Sequence, residues 1–141
     1  MATTAQFVQT PVIEVSQGLT ADTSRTAPTN AVLVAAGPAT TSGPGVGKRI
    51  NRVVVSATAT TTAGAIRFWI STDGGTTDRL IVERSVPAIT VATGTTPPWR
   101  AEITELVGLV LPGTVGGNAT NLYATTNNSE TFNFMVESGT L

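Results

Sequence analysis

The chain has 141 residues and a mass of 14.4 kDa, the size of one domain, with room for a core that takes roughly two thirds of the extended chain's surface out of water. Hydrophobic residues make up 40% and charged residues only 12%, so the charge excess that keeps disordered chains open is absent. A formal charge of -1 and zero Cys exclude the basic footprint of a nucleic-acid binder, a disulfide framework and thiolate chemistry, and zero His with a single Lys and a single Tyr removes most groups that titrate usefully near neutrality.

The opening MATTAQFVQT has neither the positive region nor the continuous apolar run of a signal peptide, and no apolar run approaches the ~20 residues of a membrane span. No membrane partner is expected. Near one residue in five is threonine, with many Ala, Gly and Val and few Lys, Glu or Gln. Thr and Val are stiff at Cβ and suit a pleated surface, so the composition is that of an all-β protein whose exposed faces are polar without being charged.

Residues 1–46 read differently from the rest. Short apolar pieces (Phe7 and Val8, Val12 to Val15, Ala31 to Ala36) lie among Thr, Ser, Pro and Gly, and Gly37 to Gly47 is a loop by its composition. Two readings stand: the first strands of one sandwich followed by a loop, or an extended arm that packs on a neighbouring subunit. Residues 47–141 are expected to hold the β-sandwich domain. There Ile50, Val53, Val55 and Ala57 alternate with polar residues up to a turn at Ala63 and Gly64. In AIRFWIST, Ile66, Phe68 and Ile70 point one way and Arg67, Trp69 and Ser71 the other, the strictest alternation in the chain. DGGTTD, Asp73 to Asp78, has glycines suited to positive φ and joins this strand to RLIVERSVP in a hairpin. Thr90 to Pro98 is a loop, and Trp99 to Ile103 is extended. A short helical turn fits Glu102 to Leu106, limited by Gly108 and Pro112. The run LVGLVLPGT leads to two last strands, NLYATTNN and TFNFMVESG, the latter with Phe132, Phe134 and Val136 on one face. About eight strands with little or no helix predict an antiparallel β-sandwich or jelly roll.

Candidate chemistry is sparse. GPGVGKR resembles a phosphate-binding loop only in Gly47 and Lys48, because Ser42 stands where a Gly is needed and Arg49 where a Ser or Thr would hold Mg²⁺. Glu102 with Glu105, and Asp73 with Asp78, are carboxylate pairs of the kind glycosidases use, but no aromatic-rich groove accompanies them. No calcium-loop spacing occurs. Neither an enzyme activity nor a cofactor or metal is expected. The informative charges are arginines set into strands: Arg52, Arg67, Arg79 and Arg84 read as lying opposite the core, where they can pair with Glu83, Glu102 or a partner's carboxylates. Trp69 shares the face of Arg67, and Trp and Arg are enriched at interface hot spots. Arg67, Trp69, Arg52 and Arg84, with Phe7 and Val8 of the N-terminal segment, are the interface candidates; the alternative for Trp69 and Arg67 is a satellite cluster covered by the N-terminal segment.

The run from TTTAGAIRFWISTDGGTTDRLIVERSVP through PPWRAEI, LVLPGT and NLYATTNNSETFNFMVESG resembles a small β domain found among virion proteins of tailed bacteriophages. The resemblance spans Lys48 to Gly139, and its marks are fold marks: the TTTAG turn, the Arg-Phe-Trp-Ile strand, the Asp-Gly hairpin, the Pro-Trp before an acidic strand, the corner at Leu111, Pro112 and Gly113, and the Asn-rich turn before an aromatic strand. It implies a structural virion component, a decoration protein on the outer capsid surface that binds the major capsid protein, self-associates as a homotrimer and is assembled in the host cytoplasm. The alternative is a tail, baseplate or fibre-associated module with receptor or carbohydrate binding, in which Trp99 and Tyr123 act as stacking platforms.

Overall fold

The computed structural model describes residues 10–18, 20–38, 47–113 and 118–141. Among these described residues, runs of β-branched and aromatic residues form nine strands: β1 (Thr10–Gly18), β2 (Val32–Ala36), β3 (Gly47–Ala57), β4 (Gly64–Ser71), β5 (Arg79–Val86), β6 (Arg100–Glu102), β7 (Val110–Pro112), β8 (Asn121–Thr126) and β9 (Phe132–Thr140). A 3-10 turn, Thr104–Leu106, occupies the place where a short helical turn is expected. The strands pair antiparallel in two sheets, ordered β1-β9-β3-β6 with β7 also on β3, and β2-β8-β4-β5. The molecule is an all-β sandwich.

One face of each sheet supplies the core. Ile50, Val53, Val55 and Ala57 of β3 and Phe132, Phe134 and Val136 of β9 meet Ile66 and Phe68 of β4 and Leu122 and Ala124 of β8, all 5% exposed or less. Phe68 and Phe134 touch edge to face, with ring centroids 6.1 Å apart, a geometry worth about 1 kcal/mol beyond its buried area. Ile50 and Val53 differ in parity yet share this face. The register of β3 on β9 slips between Ile50 and Arg52, so Asn51 is an extra, bulged residue that restores the apolar set to one side.

The expected boundary near residue 47 divides neither sheet. β1 pairs β9 from Thr10↔Thr140 to Gly18↔Phe132 without a slip, and β2 pairs β8, so both are sandwich strands, and Val34 and Ala35 belong to the core. Glu14 also ties the sheets together. Its carboxylate accepts from Lys48 Nζ at 2.5 Å and from the backbone N–H of Ala36 at 3.0 Å, and so joins β1 and β3 of one sheet to β2 of the other. Lys48, which together with Gly47 suggested a phosphate loop, is thus a buried ion-pair partner. The loop expected at Gly37 to Gly47 lies largely outside the described residues.

The β4–β5 hairpin forms as the sequence predicts. Gly74 and Gly75 adopt φ of 74° and 91°, a region in which a Cβ is strained. At Gly75 a Cβ would also lie 2.8 Å from the Tyr123 hydroxyl.

Candidate functional site

Arg67 and Trp69 point away from the core as predicted, but they do not reach the surface: Arg67 is 3% and Trp69 0% exposed. The alternation along β4 identifies the face, and a remote segment covers it. Residues 20–31 return over this side of the sheet. Ala21 bridges Thr126 in parallel, the Asp22 N–H donates to the Thr126 carbonyl at 2.8 Å, and Arg25 grips Glu83 of β5 through Nε and Nη2, both at 2.9 Å. Thr26, Ala27 and Pro28 then line one concavity with Gly75 to Arg79. That path crosses the face on which Trp69 sits. The Trp69 indole N–H donates to Thr125 Oγ1 at 3.1 Å. As interface candidates Arg67 and Trp69 are therefore corrected: they form a covered satellite cluster, which a partner cannot touch while the segment is in place.

The cluster is a closed polar network. Arg67 Nε donates to Glu83 at 2.8 Å, and its Nη1 donates to the Asp22 carbonyl and to Asn127 Oδ1 at 3.3 Å. With Arg25 and Arg67 both donating to it, the Glu83 carboxyl is held down at about 2. Burial pushes Asp22 upward, but N–H donors from Asn30, Ser24 and Thr29, with Arg67 nearby, outweigh it and keep its carboxyl below the usual value. Those three bonds, 2.7 to 3.0 Å long, shape the segment.

The remaining candidates separate. Arg84 faces inward, not outward. It pairs Ile66 in register and shares the core side of β5 with Val82 and Val86, but at the open edge it extends to Glu105 of the 3-10 turn at 3.4 Å. Arg52 remains on the outer face of the five-stranded sheet, where Nε donates to Glu102 at 2.8 Å and Nη1 lies 3.8 Å from Glu137. The hydrogen bond to Glu102 is the main reason the guanidinium holds its proton more tightly than usual. Arg79 is exposed at the start of β5. Phe7 and Val8 lie outside the described residues.

Three of the four paired carboxylates have internal partners, whereas Asp78 Oδ1 is buried without a hydrogen bond. Glu102 is engaged by Arg52 and Glu105 by Arg84. Asp73 accepts from the Thr77 N–H and the Ser71 hydroxyl, each at 2.8 Å, which lowers its pKa, whereas burial and then the Asp73 charge raise that of Asp78. Among the described residues no three His, Cys, Asp or Glu gather as a metal site. Trp99 packs edge-on against Phe132 at 6.1 Å, and the Tyr123 hydroxyl, near Gly75, accepts from Asn121 Nδ2 at 3.4 Å. Both residues are half-buried.

One surface has the chemistry of a contact site, and the interface candidates include only its border, Arg52. On the outer face of the five-stranded sheet, the pairings Val15↔Met135 and Met135↔Val54 form an apolar row across β1, β9 and β3, exposed at Val15, half-buried at Met135 and buried at Val54. Ile13 flanks it at the β1 edge. Ile13 and Val15 are 65% and 71% exposed, the highest values among the exposed large hydrophobics of the described residues. Toward β6 the face becomes the Arg52, Glu102 and Glu137 cluster, in which one guanidinium serves two carboxylates. Gln17 and Asn133, hydrogen-bonded at 2.9 Å, form the polar margin on the other side. An apolar centre with a polar rim is the usual layout of a contact patch. The signal was present in the sequence as Ile13 and Val15, two β-branched residues of equal parity in TPVIEVSQG. With Val12 just before them on the inner face, and Glu14 the inward residue between them, the alternation is weak. No family model, curated protein or solved structure matches the chain.

Proposed function

We propose that the chain is a structural virion subunit of the capsid-decoration kind, which docks on the outer surface of the major capsid protein and reinforces the shell through buried area, with no chemical step. The observation that carries this reading is the outer face of the five-stranded sheet. Ile13 and Val15, with the half-buried Met135, offer apolar surface on a sheet face, and beside them Arg52 is paired with Glu102 and lies near Glu137. A rigid sandwich loses little conformational entropy when it docks. The phage context comes from the resemblance of Lys48 to Gly139, and the face supports the docking. For the receptor or glycan alternative, Trp99 and Tyr123 are both half-buried and each has an internal contact.

The test mixes purified protein with mature, undecorated capsids, isolated tails and host cells. Saturable co-sedimentation with heads, with raised resistance of the shell to heat and loss of binding in Val15→Lys, is the expected result. Binding to tails or cells but not heads, or no binding to any of them, overturns it.

A further inference from the structure

We infer that β1 is a self-pairing edge: two copies of this chain associate antiparallel along β1 about a twofold axis through Val15, joining their five-stranded sheets into one. The inference is independent of the virion reading and departs from the homotrimer that the resemblance implies.

It rests on a comparison of the sheet edges. β6 and β7 are three residues each, too short to template a partner. β2 has five residues and a register slip between Leu33 and Ala35, and Glu14 occupies its Ala36 N–H. β5 slips opposite Phe68 and Trp69, leaving Ile81 as an extra residue; it carries Arg79, Glu83 and the inward Arg84, and Arg25 crosses it. Short length, bulges and charges are the means by which sheets blunt their edges. β1 has none of these along most of its length. It is nine residues long, pairs β9 without a slip, and on its other side no strand among the described residues pairs with it. Its exposed row carries Ile13 and Val15.

The strand's own sequence selects both the partner and the register. In a twofold antiparallel pair each side chain meets one of the same face, so the axis passes through a residue. An axis at Glu14 sets two carboxylates opposite each other, which is unfavourable, and brings Pro11, which has no N–H, into the ladder opposite Gln17. An axis at Val15 avoids both. Val15 then meets Val15 of the second copy, Ile13 meets Gln17, Glu14 meets Ser16, and Val12 meets Gly18, so the paired span runs from Val12 to Gly18 and Pro11 falls just outside it. Such an isologous contact closes on itself and leaves no further free β1 edge.

The chain has no cysteine, so introduced thiols report proximity directly. Residues directly opposite in an antiparallel pair have Cα atoms ~4.5 to 5.5 Å apart, within disulfide range. The expected results are a monomer–dimer equilibrium in sedimentation from micromolar to near-millimolar concentration, and a Val15→Cys variant that oxidises to a crosslinked dimer much faster than Val107→Cys, a control at another exposed site (51%). Ile13→Cys and Gln17→Cys should each crosslink poorly alone and efficiently when mixed. Val15→Lys, a change at an exposed position, should stay monomeric while keeping the parent's circular dichroism. A monomer at every concentration, association that survives Val15→Lys, a trimer mass, or crosslinking at Val15 no faster than at Val107 overturns the inference.

Discussion

Glu83 holds two arginines at once, and that arrangement fixes how stability depends on pH. Its folded pKa, about 2, lies below the ordinary value of 4.5. A carboxylate depressed in this way contributes stability that is fully present above the ordinary value and is lost as pH falls from there through about 2. Asp22, also lowered, acts in the same direction. The Glu83 side chain is 33% exposed, so solvent screening limits its share to about 1 kcal/mol. Glu83→Gln keeps the shape and removes the charge. It should unfold more easily than the parent in urea at pH 7 by about that amount, with the gap closing as pH is lowered from 4.5 to about 2. A gap that is constant over this range would mean that the arginines do not discriminate the ionised form.

At the scale of elements, β4 shows what local pattern can and cannot give. Its period-two alternation places Ile66, Phe68 and Ile70 on the core side, because a strand sends successive side chains to opposite faces. The same rule assigns Arg67 and Trp69 to the other side, but it does not say whether that side is wet. Cover comes from residues 20–31, far away in sequence and without a periodic signature, so burial of Trp69 under the N-terminal segment could be read only as an alternative to an interface role. The bulges were equally silent: Asn51 and Ile81 have nothing in their own chemistry to mark them, yet the slip opposite Trp69 breaks the alternation along β5. For the candidate face the difficulty was reversed. Ile13 and Val15 point outward, so an apolar-means-inside reading of β1 weakens the very pattern that identifies the surface. The covering segment is itself testable through its clip. Asp22→Ala removes the acceptor for the N–H groups of Ser24, Thr29 and Asn30, at a cost of roughly 1 to 3 kcal/mol. In a Trp99→Phe background, where Trp69 is the only indole, acrylamide quenching of Trp69 should rise in Asp22→Ala. Unchanged quenching would show that the segment stays in place without the clip.

For the whole molecule, the connectivity of the sheets implies that the N-terminal region is structural, even though composition separates residues 1–46 from the rest. β1 caps β9 and β2 caps β8, and together they supply one side of the sandwich. Removing everything before Gly47 would strip Val34 and Ala35 from the core and turn β8 and β9 into long, uncovered edges. It would leave Lys48, 7% exposed, without the Glu14 carboxylate; orphaning a buried charge in this way costs roughly 3 to 5 kcal/mol. Arg67 and Trp69 would lose residues 20–31 at the same time. These losses together are comparable to the whole stability of an ordinary domain, ~5 to 15 kcal/mol. The fragment 47–141 should therefore be aggregation-prone or molten, with dye-accessible apolar surface and no cooperative unfolding transition, whereas the full chain unfolds cooperatively. A fragment with a sharp transition and native near-ultraviolet dichroism would show that β1 and β2 are an arm laid on a complete domain, and the sandwich would then have to be redrawn with its edges at β8 and β9.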